Sequence, residues 1–482
     1  VLWISFKGKG LYKYYPERKF SHYSLHQGLM SDVIFSMIEH NSNSVILGTH
    51  HGLYVHDFKE HSTYRIPNTE ALDFQVITAL CKDNFQNLWC GTNNGLYKLT
   101  PGGQLVQYQH SPNELSGLSS NFITTIVADP KVDGDIWVGT REGLNRYHSR
   151  YDNFVHYYAN KNRQNSLLND EIEHLYISSP GVLWIATANG GLSKLTPEEK
   201  NNYDPAFVNY TNDRAEKSSI SDNKITYITE DKFHHIWIGT ENGGLNKLDS
   251  VGNFSHFLET NGLIDNHILS IVPAGNQFLW ISTPGGIVRF DVKNLVFKNY
   301  LFKDGIKNGI FLNKSCAITR DGYILFGSKS GFTYFHPDNI LNNTFAAQPV
   351  IEGFYVFNQP VKTIGTKVCQ LDYDQNVISF EVCGLHYVSP EENRLSYFLE
   401  GVDEEWKYCS NFKYLTYSNL EPGMYTLHLK AANNDNIWNE NEAILQFQII
   451  APFWDKLWFK LMIICLALGL FYLIMRYRMN KV

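Results

Sequence analysis

One stretch, "LWCGTNNGLYKL" from Leu88 to Leu99, recurs in eight versions through about the first 340 residues and limits what this chain can fold into. The others are "LWISFKGKGLYKY" around Trp3, "VILGTHHGLYVH" around Ile46, "DIWVGTREGLNRY" around Trp137 and "LWIATANGGLSKL" around Trp184. They continue as "IWIGTENGGLNKL" around Trp237, "LWISTPGGIVRF" around Trp280 and "ILFGSKSGFTYF", where Leu325 takes the Trp place. The Trp position therefore falls at 3, 46, 89, 137, 184, 237, 280 and 325, a period of 43 to 53 residues. Each copy is an apolar, β-branched run cut by glycine and a polar pair before it resumes, which predicts two antiparallel strands joined by a tight turn. An apolar run precedes each hairpin ("VITALCKDNFQN", "ITTIVADPKVDG") and an aromatic run follows it ("LVQYQH", "NFVHYYA"), giving four strands per period. Four-stranded units repeated at this spacing predict the blades of a β-propeller, each burying both faces against its neighbours. Trp3, Trp89, Trp137, Trp184, Trp237 and Trp280 are then packing wedges between blades rather than binding residues.

The expected fold class is all-β: a seven-bladed propeller, an immunoglobulin-like sandwich and one C-terminal transmembrane helix. Residues 1–18 open in the middle of a repeat and read as remnant strands of a preceding blade or propeller. Residues 19–338 form the seven blades, with the outer strand "KFSHYSL" closing the ring by completing the last one. Residues 339–349 read as a polar linker. From 350 to 451, six or seven short strand patterns, among them "NVISFEVCGL", "LSYFLEGVD" and "YTLHLKAANN", fit a sandwich of about a hundred residues. Then "LWFKLMIICLALGLFYLIM", Leu457 to Met475, is long enough to cross a bilayer, within a predicted helix over 454–475. Trp454 and Trp458 mark one interface, and the basic run "RYRMNK" in 476–482 places the C-terminus on the cytoplasmic side. Lys460 lies close enough to an interface to snorkel.

The net charge is −7 with no basic stripe, which argues against nucleic acid as a partner. Seven cysteines without metal-ligand spacing cannot all pair within one chain. Cys81 and Cys90 lie on two arms of one predicted hairpin, so they are either cross-strand neighbours able to bond or buried thiols. No metal site and no cofactor is expected. The chain lacks an initiating Met and a signal peptide, so it is expected to be a piece of something longer.

Loops before the innermost strands also repeat, as in "GLSSNFITTI" and "SISDNKITYI", with Ser, Asp and Asn suited to capping local backbone. In an antiparallel blade these loops share one end with the turns between the second and third strands. The variable residues of those turns are His50, His51, Asn93, Asn94, Arg141, Glu142, Asn189, Glu241, Asn242 and Lys329. Variation within a fixed frame is where specificity is written, and amides, carboxylates and Arg beside aromatics suit a hydroxyl-rich ligand such as a glycan. Each is also accounted for as an ordinary solvated turn. No G-x-S-x-G elbow, phosphate-binding glycine loop or H-E-x-x-H helix is present. An acid/base pair drawn from two blades, Glu142 with Glu241, would be needed for a propeller lyase or glycosidase acting on polysaccharide.

"NRLSYFLEGVDEEWKYCS", "TYSNLEPGMYTLHLKAANNDNIWN" and "IIAPFWDKLWF" resemble the three-tyrosine domain that follows regulator-type propeller repeats in bacterial two-component sensors of the Bacteroidetes type. Tyr397, Tyr417 and Tyr425 stand at the pattern's tyrosines, with Trp406 and Trp438 beside them. The resemblance implies a periplasmic sensor anchored in the inner membrane by one span, working as a homodimer and detecting an oligosaccharide or other periplasmic ligand. The phosphorelay and the transcription of glycan-use genes would depend on histidine kinase domains that this chain lacks. A membrane-anchored adhesion protein is the further alternative.

Overall fold

In the computed structural model, all residues are described except 1, 7–9, 15–18, 114–115, 203, 302–303, 307–309, 341–342, 362–367, 388–389, 411–412 and 480–482. The chain divides into two compact units, Glu17–Ile340 and Leu341–Val482 together with Val1–Pro16.

The first unit is a propeller of seven four-stranded antiparallel sheets. The motif stretch supplies the second and third strands of every blade: Leu88–Thr92 with Gly95–Leu99 in blade 2, for example, and Ile236–Thr240 with Leu245–Leu248 in blade 5. The first strands of adjacent blades touch one another around a closed ring. Blade 7 takes its fourth strand from Ser21–Tyr23, which pairs with Gly331–Phe335.

The recurrent residues explain how blades stack. Trp89, Trp137, Trp237 and Trp280 are fully buried and Trp184 nearly so. Trp89 packs with Ile136, Val138, Tyr147 and Phe154 of the next blade, which is the wedge role expected. The side chain of Trp3, for which the same role is expected, lies outside the described residues. A cation from the third strand lies over the indole of Trp89 (Lys98), Trp137 (Arg146), Trp184 (Lys194) and Trp237 (Lys247), at 5.1–5.6 Å. The indole N–H donates to Asp83 (2.8 Å) and Asp231 (2.8 Å) in blades 2 and 5, and to Asp129 (3.4 Å) in blade 3. Two residues after Trp89, Gly91 holds space for the neighbour: a Cβ there would stand 2.6 Å from Ile123 Cγ2. Ala186 and Ser282 occupy the equivalent place in blades 4 and 6.

The Asx residues before the inner strands do more than cap local turns. The carbonyls of Asn121, Asp170, Asn223 and Asn266 accept from the turn glycine of the preceding blade, Gly95, Gly143, Gly191 and Gly244. Their side chains accept from His110, Ala159, Asn212 and Glu259, where that same preceding blade ends. Each loop thus stitches two blades.

Of the two readings of Cys81 and Cys90, that of buried thiols holds. Cys81 pairs with Trp89 and Leu80 with Cys90, so the two thiols project from opposite faces of the sheet. They sit in different interblade cores, and both are free. Alternation along a strand makes a bond between them impossible without a register shift.

In the second unit Leu2–Phe6 and Gly10–Tyr14 form a two-stranded sheet. The larger part is a sandwich. One sheet has the order Gln359–Pro360, Gln348–Val356, Ile378–Leu385, Lys413–Tyr417. The other runs Cys369–Leu371, Ala443–Ile449, Gly423–Ala432, Arg394–Glu400, Lys407–Ser410. Phe354, Phe380, Leu395, Leu399, Leu427 and Phe447 fill the space between them. The first strand begins at Gln348, inside the expected linker, and Ala347 is already fully buried. The helix Leu457–Met479 runs through the basic residues Arg476 and Arg478 and ends beyond the expected limit. It is long and apolar enough to cross a membrane, and none of its residues is buried.

Candidate functional site

The turn between second and third strands is built the same way in all seven blades. A hydroxyl at the end of the second strand, Thr49, Thr92, Thr140, Thr187, Thr240, Thr283 or Ser328, donates to the carbonyl of the turn glycine at 2.8–3.1 Å. The same oxygen accepts a turn N–H in several blades, including those of His51, Asn94 and Glu142. The N–H directly after the hydroxyl residue reaches back to the residue before the inner strand, Arg141 to Phe122 (3.3 Å), Glu241 to Lys224 (3.0 Å) and Lys329 to Ile310 (3.1 Å). Turn and inner-strand start therefore share one face, and the hydroxyl staple leaves the intervening side chains free to vary.

Three ion pairs gather where that face meets the propeller axis. Arg141 lies 3.8 Å from Glu171 and stacks over Phe122 at 3.8 Å. Lys224 pairs with Glu241 and also feels the charge of Glu173. Lys314 completes the set. It belongs to the inner strand of blade 7, whose register jumps from Phe311↔Ser328 to Cys316↔Phe326, so residues 312–315 bulge out of the sheet. Lys314 sits in this bulge at φ 64°, and its Nζ crosses the ring to the carbonyls of Glu173 (2.9 Å) and Thr124 (3.3 Å). Its ammonium lies 3.6 Å from the Glu173 carboxylate. Burial lowers the Lys314 pKa, and Glu173 opposes that shift. Beneath it, His174 stacks on Tyr227 at 4.3 Å and accepts the Ile228 N–H at 3.2 Å. Burial, helped by the Lys314 charge, lowers the His174 pKa to about 3, so the imidazole is neutral. The Tyr227 hydroxyl meets Cys316 Sγ at 3.1 Å, and burial pushes that thiol up to about 11.

Beside this mouth a groove of about 630 Å³ opens on blade 5. Asn212, Asp213, Arg214, Glu216, Ser219, Ser221, Asn242 and His256 line it, with Phe254 and Leu258 as apolar floor. His256 is fixed by the Ser219 carbonyl at 2.7 Å, and Asn242 by the Asp222 carboxylate through its backbone N–H (3.1 Å) and its amide (3.3 Å).

Among the residues singled out from sequence, Arg141 and Glu241 thus reach the axial mouth and Asn242 the groove. His50 and His51 stay together on blade 1, with His50 near Phe35. Asn94 accepts from Gln107 and Gln109 of its own blade. Asn189 holds a left-handed turn at φ 56°. Glu142 and Glu241 belong to blades 3 and 5; Glu241 is held by Lys224, and no hydrogen bond or ion pair joins the two among the described residues. Lys224, Glu171, Glu173 and Lys314 lie outside that set. For Lys314 a signal existed, a lysine in the middle of an inner strand, "FLNKSCAI". Among the described residues no group of three or more His, Cys, Asp or Glu side chains is placed to hold a metal.

In the sandwich the signature tyrosines have structural partners. Tyr417 donates to Asp403 at 2.7 Å, Tyr425 to the Glu421 carbonyl at 2.7 Å, and Tyr397 packs against the core. Trp406 lies under Lys430 at 4.3 Å, and Trp438 meets Tyr408 at 6.0 Å.

Comparison with known proteins agrees with this build. The two component regulator propeller family matches residues 219–242, the segment that forms one wall of the groove and ends at Glu241 and Asn242. The Y_Y_Y domain family matches 386–449, most of the sandwich. Histidine kinase P4 of Formosa agariphila is 25% identical over 465 residues, covering 92% of this chain and 33% of the kinase. The chain thus spans about a third of that relative. The extracellular domain of BT3049 from B. thetaiotaomicron, assigned to the hybrid two component systems, shares the fold with a TM-score of 0.73. That match has 23% identity and covers 93% of this chain and 60% of the other. In fold and in the order of its matches, the chain has a seven-bladed propeller carrying a two component regulator propeller match, then a sandwich carrying a Y_Y_Y domain match and a membrane-capable helix, and it is similar to about a third of histidine kinase P4.

Proposed function

We propose that the chain is the ligand-sensing portion of a two-component histidine kinase and that the propeller face carrying the turns detects an oligosaccharide. The observation that supports the ligand class is the groove on blade 5, where amides, carboxylates, Arg214 and His256 surround the apolar floor of Phe254 and Leu258. Sugars offer hydroxyls to such groups and C–H faces to such a floor. The neighbouring mouth, with Arg141, Lys224 and Lys314 each opposite a carboxylate, extends the contact surface for a chain of several sugar units. The helix crosses the inner membrane once, with Arg476 and Arg478 on the cytoplasmic side and the propeller and sandwich in the periplasm. Two copies pair, and ligand shifts their equilibrium so that a kinase joined to the helix regulates glycan-use genes. Such a shift needs only a few kcal/mol of differential binding.

Calorimetric titration of the chain against a glycan panel tests the reading. A micromolar Kd, about −8 kcal/mol, is expected for one class. It should weaken at least roughly tenfold in Asn242→Ala and in Arg141→Ala. Failure of every glycan to bind, or binding that neither substitution changes, sinks the ligand assignment.

A further inference from the structure

The sandwich carries, at the end from which the helix leaves, a surface that no reading above uses. Its strands fix which loops lie there. Ala443–Ile449 leads toward the helix, and Cys369–Leu371 runs parallel beside it, with Leu371 opposite Ile449 and the Ile450 N–H on the Leu371 carbonyl at 2.8 Å. The turn after Leu371 therefore emerges beside the start of the membrane segment. Gly423 pairs with Ile449, Tyr417 with Ile378, and Ile378 with Val356, which brings the turn at 357–358 to the same end. Glu400 pairs with Thr426, so the loop from 401 follows.

Each of these loops exposes an apolar side chain: Phe357 is 52% exposed, Tyr373 43% and Val402 43%. Phe357 sits at the tip of its turn at φ 49°, a conformation aromatic residues rarely adopt, which makes its outward display costly to keep. Tyr373 does not stand alone. Its ring meets Trp454 edge to face at 4.8 Å, and Trp454 continues into Phe453 at 5.0 Å. Phe453 reaches Phe459 of the helix at 5.3 Å. An aromatic path thus joins the sandwich to the membrane segment. Only residues 450–456 separate the last strand from the helix, which limits the gap to roughly 25 Å even if they were fully extended.

We infer that this end of the sandwich rests on the bilayer, with Phe357, Tyr373 and Trp454 lodged among the headgroups of a zwitterionic lipid surface. Aromatic rings of this kind favour the interface. The headgroup class follows from charge: Asp372, Asp374, Glu404, Glu405 and Glu421 are exposed at the same end, and an anionic surface would repel them. The inference rests on the reading that Leu457–Met479 crosses a membrane. Seated this way, the sandwich cannot swivel freely on its tether, and a movement of it is passed to the helix rather than lost in the connecting residues.

The test uses the chain in phosphatidylcholine nanodiscs containing 6,7-dibrominated lipid, which quenches indoles near the interface. Phe357→Trp adds a reporter at the proposed seat, and Tyr387→Trp adds one at the other end of the sandwich, where Tyr387 is 70% exposed. Native Trp458 reports on the helix through the difference from Trp458→Phe. The signal added by Phe357→Trp should fall at least twofold with brominated lipid, the Tyr387→Trp reporter should not, and the effect should weaken in discs rich in phosphatidylglycerol. Quenching of Trp458 without quenching of the Phe357→Trp reporter overturns the inference and leaves the membrane span standing. No quenching of Trp458 overturns the span and the inference together. Equal or stronger quenching of the Phe357→Trp reporter in phosphatidylglycerol overturns the headgroup class.

Discussion

Replacing Asp403 by Ala should unfold the sandwich well before the propeller. The Asp403 side chain is 1% exposed and accepts from the Leu399 N–H (2.9 Å), the Tyr417 hydroxyl (2.7 Å) and Lys407 Nζ (2.6 Å). Leu399 is fully buried and Tyr417 half-buried, so truncation strands two donors at about 1–3 kcal/mol each. Lys407 is 52% exposed and regains water, so its pair adds little. The sum is about 2–6 kcal/mol. In a sandwich of some hundred residues, where 1 kcal/mol moves Tm by about 4–8 °C, the loss should exceed roughly 8 °C. Burial pushes the Asp403 pKa up, but the bonds from Lys407, Tyr417 and Leu399 outweigh it, and the net shift from 3.8 is downward. A depressed carboxylate contributes stability that is present above its unfolded pKa and lost as pH falls through the folded value. The gap between wild type and Asp403→Ala should therefore be full at pH 7 and close below about pH 4. Thermal melting of the chain in detergent, with hydrogen exchange of peptides covering 394–400 and 413–417, separates this transition from that of the propeller. A shift of less than about 4 °C at pH 7, or a gap that widens in acid, would refute the reasoning.

Three further outcomes are expected. Gly91→Ala should destabilise the propeller by about 1–3 kcal/mol, because the new Cβ meets Ile123 at 2.6 Å, whereas Ala186→Gly at the equivalent, fully buried place should cost only about 0.5–1 kcal/mol; denaturant midpoints decide it. Trp280→Phe should be milder than Trp89→Phe by roughly 1 kcal/mol in the same assay, because the Trp280 indole N–H has no partner among the described residues, while that of Trp89 donates to buried Asp83. Cys81 and Cys90 should remain unlabelled by iodoacetamide at pH 8 in the folded chain and react once it is unfolded, since both are buried and burial pushes the Cys81 thiol up to about 12. Rapid native labelling of either would contradict the interblade packing.

The residues themselves reveal how much of the site could be read in advance. Arg141, Glu241 and Asn242 stand out because they vary inside turns whose frame is constant. Their partners do not: Glu171 lies in the blade after Arg141, and the neighbouring charges Glu173 and Lys314 are 141 positions apart. Aromatic and amide residues of the groove, Phe254, His256 and Asn212, come from segments that look like ordinary outer strands and loops.

What the amino-acid order alone determines here is everything of short range. Apolar alternation, the glycine turn and the hydroxyl before it act within a few residues, so hairpins, blades, sandwich strands and the apolar helix are written in any one window. Tertiary structure decides what depends on neighbours distant in the chain. It turns the loop Asx residues into stitches between blades and sends Lys314 across the ring to Glu173 and Thr124. These contacts exist only once seven similar units have closed on each other. Its place in the middle of an inner strand marks Lys314 as unusual, but no local pattern names the carbonyls it will reach.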